Sequence, residues 1–138
     1  MSDCVFCKIV SGQIPSTRVY EDERVLAFMD IGEVNPGHVL VALKPHAENL
    51  YALDDSQAAA VARACTRVAR AIRAAFAPAG LSVYQANGAA AGQTVFHYHV
   101  HLVPRHDGDA MAFTWPVNNP PRDRLEAHAA KIRAALLP

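Results

Sequence analysis

His97-Tyr98-His99-Val100-His101-Leu102-Val103 alternates imidazoles with bulky, mostly apolar side chains. Successive side chains of a β-strand point to opposite faces, so the three histidines are expected on one face and Tyr98, Val100 and Leu102 on the other. The second face suits a hydrophobic core. The first would carry imidazoles about 6.6 Å apart from one to the next, given a rise of ~3.3 Å per residue. The stretch therefore predicts a strand over 96–104 with a row of histidines on one side.

Turn residues and apolar runs on either side of this stretch predict the other elements of the fold. Apolar side chains recur at helical spacing from Val61 to Phe76, after the N-cap cluster Asp54-Asp55-Ser56, and predict a long amphipathic helix. Strands are predicted at 17–21, 25–30, 38–43 and 81–87, and further helices at 4–10 and 122–136. Tight turns between strands favour antiparallel pairing. We therefore expect an α+β fold, a five-stranded antiparallel meander with one long inserted helix and an amphipathic C-terminal helix.

The composition bounds the class of protein. The chain has 138 residues, of which 51% are hydrophobic and 19% charged, and its formal net charge is zero. We expect one domain over 1–138, with a C-terminal extension from about 107 to 138. The charge balance argues against a nucleic-acid partner. Neither a membrane-spanning run nor a signal-peptide pattern is found, so a cytoplasmic location without membrane association is expected.

The residues alone leave three interpretations of the histidine row open. The histidines could lie on an exposed strand face without a chemical role. They could hold a catalytic zinc ion, because three imidazoles with an open coordination position can activate water. One of them could instead be a nucleophile, with its neighbours polarising a phosphate group.

A pair of cysteines near the N-terminus indicates a second site. Cys4-x-x-Cys7 supplies half of a tetrahedral metal site, although a reduced pair without metal is an equally open interpretation. His46 and His97 could supply the other half. Two thiolates would balance the charge of Zn²⁺, and four protein ligands would close the site, so such a zinc would be structural. The third cysteine, Cys65, is expected in the core.

The sequence resembles the histidine triad (HIT) superfamily of nucleotide hydrolases and transferases. The resemblance is carried by His97-x-His99-x-His101 and by further blocks in family order, which together cover roughly 4 to 105. Those blocks are Phe6-Cys7-Lys8-Ile9-Val10, Ala27-Phe28-Met29-Asp30-Ile31, Pro36-Gly37-His38-Val39-Leu40-Val41 and Gly92-Gln93-Thr94-Val95. The resemblance implies a homodimer whose sheets join, and a purine nucleotide or nucleotide conjugate as substrate. It also implies zinc on Cys4, Cys7, His46 and His97, because a subset of bacterial members binds it at these four positions.

The resemblance implies a catalytic role for three histidines. His99 would attack the α-phosphorus of a nucleoside phosphoramidate or a dinucleoside polyphosphate and form a nucleotidyl-histidine, which water then hydrolyses. His101 would lie against the phosphate oxygens, and His38 would complete the site. A histidine at 101, where the transferase branch carries glutamine, favours hydrolysis over transfer. A nucleotide-binding scaffold with vestigial catalysis and a zinc-dependent hydrolase that uses the imidazoles remain the alternatives.

The resemblance also implies how a nucleotide is held. The phosphate would contact the loop Gly92-Gln93-Thr94, through backbone N–H groups, the glutamine amide and the hydroxyl. The Asp30 carboxylate would accept both ribose hydroxyls, in a part of the site separate from His101. The base pocket would be lined by Phe6 and Ile31. Asn87 would lie near the triad and could hydrogen-bond to it.

Overall fold

The computed structural model describes residues 3–112 and 114–136, so the expected domain bounds at 1 and 138 lie outside the described residues. The helices are α1 (Val5–Val10), α2 (Asp55–Phe76) and α3 (Arg122–Ala135). The strands are β1 (Arg18–Glu21), β2 (Val25–Met29), β3 (Val39–Leu43), β4 (Gly80–Tyr84) and β5 (His99–Arg105). Short 3₁₀ turns occur at Leu50–Ala52 and Ala89–Ala91.

The five strands form one antiparallel sheet in the order β1-β2-β3-β5-β4. The α+β prediction is confirmed, with one refinement of the meander. After β3 the chain passes through α2 to β4 at the sheet edge, and β5 then returns between β3 and β4. The histidine strand therefore pairs on both sides, which fixes its register and holds its side chains rigidly.

The sheet is covered on both faces, which explains why β2 and β3 are apolar without alternation. One face packs against α2, and the other packs against α1. The residues of the α2-side cluster include Val25, Ala27, Val39, Val41, Leu43, Val61, Val68, Ile72, Val100 and Leu102. Those of the α1-side cluster are Phe6, Ile9, Leu26, Phe28, Leu40 and Ala42.

The long helix begins and ends as the sequence predicts. The Asp54 side chain accepts a hydrogen bond from Gln57 N, and the Gln57 side chain accepts one from Asp54 N, which forms a capping box. Its C-terminal Phe76 is half-exposed and rests over Gly37, where a Cβ atom would lie 3.0 Å from the ring. With φ of +93°, Gly37 is a position that other residues rarely adopt.

Two elements differ from the sequence expectation. β5 begins at His99 rather than at 96, because residues 95–97 form a bend that directs His97 toward the cysteines. The C-terminal helix α3 exists, but it buries none of its residues, and Leu125 and Ile132 are exposed. Among the described residues, no helix is both long and apolar enough to cross a membrane.

Candidate active site and metal centre

The two histidines of β5 share the sheet face that α1 covers. His99 pairs with Ala42 and His101 with Leu40, and both partners belong to the α1-side cluster. The ring of His99 lies 5.1 Å from the ring of His101 and 4.9 Å from the ring of Phe6, measured between centroids. Tyr98, Val100 and Leu102, which alternate with them along the chain, belong to the α2-side cluster, so the alternation predicted from the sequence is confirmed for this strand.

The backbone decides which nitrogen of His99 is reactive. Its Nδ1 lies 2.6 Å from the carbonyl oxygen of His97, so the ring donates from Nδ1–H and leaves Nε2 with a free lone pair. Burial lowers the pKa of His99, although the bond to His97 O and the charge of Asp30 act in the opposite direction. The ring is therefore neutral at pH 7 and can act as a nucleophile.

His38 and His101 form a hydrogen-bonded pair with a defined direction. Val34 N–H donates to His38 Nδ1 at 3.1 Å, so the proton of neutral His38 is on Nε2. That Nε2–H lies 2.9 Å from His101 Nδ1, which therefore accepts. The proton of neutral His101 is consequently on Nε2.

The protonation of this pair follows from its surroundings. Burial lowers the pKa of His38, against the charges of Asp30 and Glu33. For His101, burial and then the neighbouring His99 and His38 lower the pKa to about 4. Both rings are therefore neutral at pH 7 in the absence of an anion.

The Asp30 carboxylate lies against this pair. Its Oδ2 is 3.3 Å from His38 Nε2 and 3.7 Å from His101 Nδ1, and its Oδ1 accepts from Gly32 N at 2.8 Å. The expectation that Asp30 and His101 occupy separate parts of the site is therefore wrong. Only 17% of the carboxylate side chain is exposed, whereas the adjoining Ile31 is fully exposed. Phe6, expected in the same pocket, belongs to α1, and its side chain is buried against the sheet.

The loop before β5, residues 92–94, is held in place by its backbone conformation and by hydrogen bonds within the protein. Gly92 has φ of +93°, and a Cβ atom there would lie 2.9 Å from Tyr84 Oη. The Gln93 amide accepts from Gly88 N and donates to Glu48 O and Val95 O. Its side chain thus holds the loop and is not presented to a phosphate, contrary to the sequence expectation. The hydroxyl residue that follows, at position 94, is exposed.

Asn87 is also engaged locally. Its side-chain oxygen accepts from Leu50 N and from the Gln85 amide, and its amide donates to Gln85 Oε1. Both polar atoms therefore bond to Leu50 and Gln85, whereas the resemblance implies a bond to the triad.

The expected metal ligands come together at the N-terminal end of α1. His97 Nδ1 lies 3.4 Å from Cys4 Sγ and 3.6 Å from Cys7 Sγ, and His46 Nδ1 lies 3.4 Å from Cys7 Sγ. A tetrahedral zinc with Zn–S of about 2.3 Å and Zn–N of about 2.1 Å places its sulfur and nitrogen ligands roughly 3.6 Å apart. His97 Nε2–H donates to Leu43 O at 2.6 Å, which leaves Nδ1 as the ligand atom. The four residues therefore fit a structural zinc ion.

The row of histidines thus divides into two sites. Cys4, Cys7, His46 and His97 form one group of candidate ligands, and Asp30, His38 and His101 form another. In the second group, His38 carries its Nε2 proton toward His101, so this nitrogen is a donor and not a free ligand. The arrangement can act as a hydrogen-bonded relay. His97 belongs to the cysteine group and His99 to neither group, so the three imidazoles of the row do not converge on one ion.

Three groups that define the site could not be found from side-chain motifs. Val34 N–H and the carbonyl groups of Leu43 and His97 set the tautomers of the histidines, and backbone groups leave no mark in the sequence. Tyr84 was also missed. Its ring lies 5.7 Å from that of His101, and its hydroxyl donates to Ala91 O, just before the loop 92–94.

Comparison with known proteins identifies the class. Residues 11–108 match the family model of the HIT domain. Protein hit of Bacillus subtilis (strain 168) is 51% identical over 114 residues, which are 82% of this chain and 79% of that protein. An adenosine 5'-monophosphoramidase, hnt1, of Schizosaccharomyces pombe is 37% identical over 114 residues, 82% of this chain and 83% of that protein. The chain belongs to the HIT family.

Solved structures agree with this assignment. A HIT family member from Bacillus subtilis superposes with a TM-score of 0.94 at 44% identity, over 99% of each chain. A zinc-bound histidine triad family protein from Mycobacterium smegmatis has a TM-score of 0.76 at 38% identity, over 98% of this chain and 99% of that one.

Proposed function

We propose that this protein is a nucleotide hydrolase that cleaves a nucleoside phosphoramidate or a dinucleoside polyphosphate at the α-phosphate, through a nucleotidyl-histidine. The observation that carries the proposal is the bond from His99 Nδ1–H to His97 O, which directs a neutral Nε2 lone pair into the site. The relative from Schizosaccharomyces pombe, named as an adenosine 5'-monophosphoramidase, supports the phosphoramidate in particular.

The proposed chemistry uses two nitrogens. His99 Nε2 forms a bond to the α-phosphorus, and the bond from phosphorus to the leaving group breaks with its electron pair on the leaving group. A phosphate anion beside His101 favours the protonated form of that ring, which then donates its Nε2 proton to the departing amine or phosphate. In the second step water attacks the α-phosphorus, and the bond from phosphorus to His99 Nε2 breaks with its electron pair on the nitrogen. The proton of the water passes to His101. While His101 is neutral, His38 Nε2–H bonds to its Nδ1. When His101 is protonated, its Nδ1–H faces Asp30 Oδ2, which lies 3.7 Å away.

The nucleotide would be held by the surroundings of this pair. In this proposal the partly exposed Asp30 carboxylate accepts the ribose hydroxyls, and Ile31 and Phe6 contact a purine base. Thr94 binds the phosphate through its backbone N–H group and its hydroxyl, while Gly92, whose N–H donates to Ala89 O, and Gln93 act only by shaping the loop.

We assign a zinc ion to Cys4, Cys7, His46 and His97 in this proposal. The distances between their ligand atoms support it, as does the zinc-bound relative from Mycobacterium smegmatis. Such a zinc would join α1 to the sheet and would supply no open coordination position for water.

A homodimer is the proposed assembly. β4 lies at the sheet edge, with Val83 exposed, and a groove of about 700 Å³ between α2 and β4–β5 is lined mainly by apolar side chains. A second copy that pairs along this edge would cover both. Sedimentation equilibrium should give twice the chain mass, and the mass of one chain would exclude the dimer.

A hydrolysis panel tests the function directly. An AMP–amine conjugate, a diadenosine polyphosphate and AMP p-nitrophenyl ester should all release AMP, since each contains the α-phosphate that His99 would attack. His128→Ala, at an exposed position on α3, is the matched histidine control and should retain full activity. Nucleotide binding without turnover of any of the three would instead support the scaffold.

A further inference from the structure

We propose that Cys4, Cys7, His46 and His97 position the nucleophile, so that metal-loaded and metal-free folded proteins differ in the reactivity of His99 and not only in stability. This inference rests on the proposed function, because it concerns the same nucleophile. It assigns a positioning role to His46, which lies in the segment between β3 and α2 and is a ligand of the cluster.

The first link from the cluster to the nucleophile is His97. Its side chain is fully buried, with Nε2–H bonded to Leu43 O and Nδ1 facing the two sulfur atoms. Its carbonyl oxygen accepts the Nδ1–H of His99. His97 precedes β5 and lies in a bend, so strand pairing does not fix its orientation. The carbonyl that sets the tautomer of His99 is therefore held in two ways. One is the set of contacts of the His97 side chain, and the other is the N–H of the same peptide group, that of Tyr98, which donates to Ala47 O next to His46.

The second link is Phe6, which stands between the two cysteines in α1. Its ring lies 4.9 Å from the ring of His99 and 5.4 Å from that of Phe28, both in edge-on geometry. A helix of six residues is not stable alone, so α1 depends on its side-chain anchors. Metal ligation by Cys4 and Cys7 would fix the residue that packs on the nucleophile.

Among the four candidate ligands, His46 is the best one to substitute, because its removal tests the positioning of His99 without removing a residue that contacts His99. The Nδ1 of His46 lies 3.4 Å from Cys7 Sγ, and its ring lies 5.1 Å from the ring of His97. The next residue, Ala47, accepts a backbone hydrogen bond from Tyr98 N at 2.7 Å, so the segment remains attached to the sheet if the imidazole is removed. Removing His46 would thus open the metal site while His97, Phe6 and His99 all remain.

The experiment compares wild type, His46→Ala, His46→Cys and the surface control His128→Ala, each at a temperature where circular dichroism shows it folded. Zinc content is measured for each protein. The rate constant of adduct formation with saturating AMP–amine conjugate is measured by rapid quench. The tautomer of His99 is read without nucleotide from ¹⁵N NMR shifts of the labelled imidazoles at a fixed pH.

We expect His46→Ala to lose zinc, to mix the two tautomers of His99, and to form adduct about 10- to 100-fold more slowly at saturating conjugate. His46→Cys supplies a ligand that zinc accepts and should restore zinc, tautomer and rate together. His128→Ala should match wild type in all three. If His46→Ala does not fold, wild type treated with a chelator provides the folded metal-free protein.

A folded metal-free protein with the wild-type tautomer would overturn the proposal, and so would one with the wild-type rate of adduct formation. If wild type itself forms no adduct, the proposed function is wrong, and the positioning role is left to the tautomer measurement. The tautomer comparison then still decides whether the cluster positions His99, because it requires no nucleotide.

Discussion

His97 and His99 are two residues apart in one motif, yet the structure gives them opposite chemistry. His97 donates from Nε2–H to Leu43 O and presents Nδ1 to two sulfur atoms. His99 donates from Nδ1–H to His97 O and presents Nε2 to the site shared with His101. In each ring a backbone carbonyl takes one nitrogen and thereby decides the use of the other.

The neighbours complete the contrast. Near His97, thiol groups and a second imidazole form a closed set of four donors, which suits a structural ion. Near His99, the His38–His101 pair and Asp30 form a relay beside a lone pair that can attack. A histidine motif therefore does not define a chemistry until the carbonyl partner of each ring is known.

Substitutions that remove one key residue from each region should give the largest effects. His99→Ala should lower turnover by at least about 10³-fold, because it removes the nucleophile, while zinc content stays at wild-type level. Cys4→Ser should do the reverse, with zinc lost and turnover of the folded fraction reduced far less. Turnover assays and metal analysis on the same preparations measure both, and normal turnover by His99→Ala would end the mechanism.

A smaller effect is expected for the contact between Asp30 and the relay. A 2'-deoxy substrate should lose about 10- to 100-fold in kcat/KM, as expected for a lost hydrogen bond to a charged acceptor of about 1.5–3 kcal/mol. Asp30→Ala should lose at least as much and should make the enzyme indifferent to the 2'-hydroxyl. Because Asp30 Oδ2 also lies 3.7 Å from His101 Nδ1, Asp30→Ala and His101→Ala should not be additive.

Kinetics of the single and double variants with both substrates test this coupling. Glu33→Gln, which neutralises another carboxylate of the same turn, is the control and should retain discrimination between the two sugars. Equal reaction of ribose and 2'-deoxyribose substrates with wild type would show that Asp30 does not bind the ribose.

The last expected effect is on the pH dependence of stability and leaves turnover at neutral pH out of account. The pKa of His101 is about 4 in the folded protein, below its ordinary value near 6.5, so the unfolded chain takes up the proton first as the pH falls. Its contribution to stability is therefore complete above pH 6.5 and is lost between about pH 6.5 and pH 4, by roughly 3 kcal/mol at most.

Urea unfolding of metal-free wild type and His101→Gln over this pH range measures that contribution. The loss of stability on acidification should be smaller in His101→Gln, because the variant has no ring to protonate at this position. His128→Gln should follow wild type. Parallel profiles for wild type and His101→Gln would show that His101 is not held neutral by the fold.

The features that depend on residue type and on hydrophobic patterning were predicted from the sequence. Alternation along β5, the N-cap at Asp54 and the apolar stripe of α2 were each predicted and found. The four metal ligands were identified from residue type and resemblance, and they lie together. These features depend on side chains whose identity is visible in the sequence.

The errors concern features that depend on the path of the backbone. The bend at 95–97 removes His97 from the strand, and the amides of Gln93 and Asn87 bond to nearby backbone and side chains instead of facing the site. Asp30 lies beside His101 because β3 pairs with β5. The two residues are 71 positions apart in the sequence. Local patterns do not specify such contacts.

The most direct test that His99 is the nucleophile is to locate the covalent intermediate. Wild-type protein is mixed with an excess of AMP–amine conjugate, quenched within one turnover at alkaline pH, digested, and analysed by tandem mass spectrometry. We expect an acid-labile adenylyl group on His99 in wild type and none in His99→Ala. An adenylyl group on His97 or His101, or rapid AMP release with no adduct at any time, would contradict it.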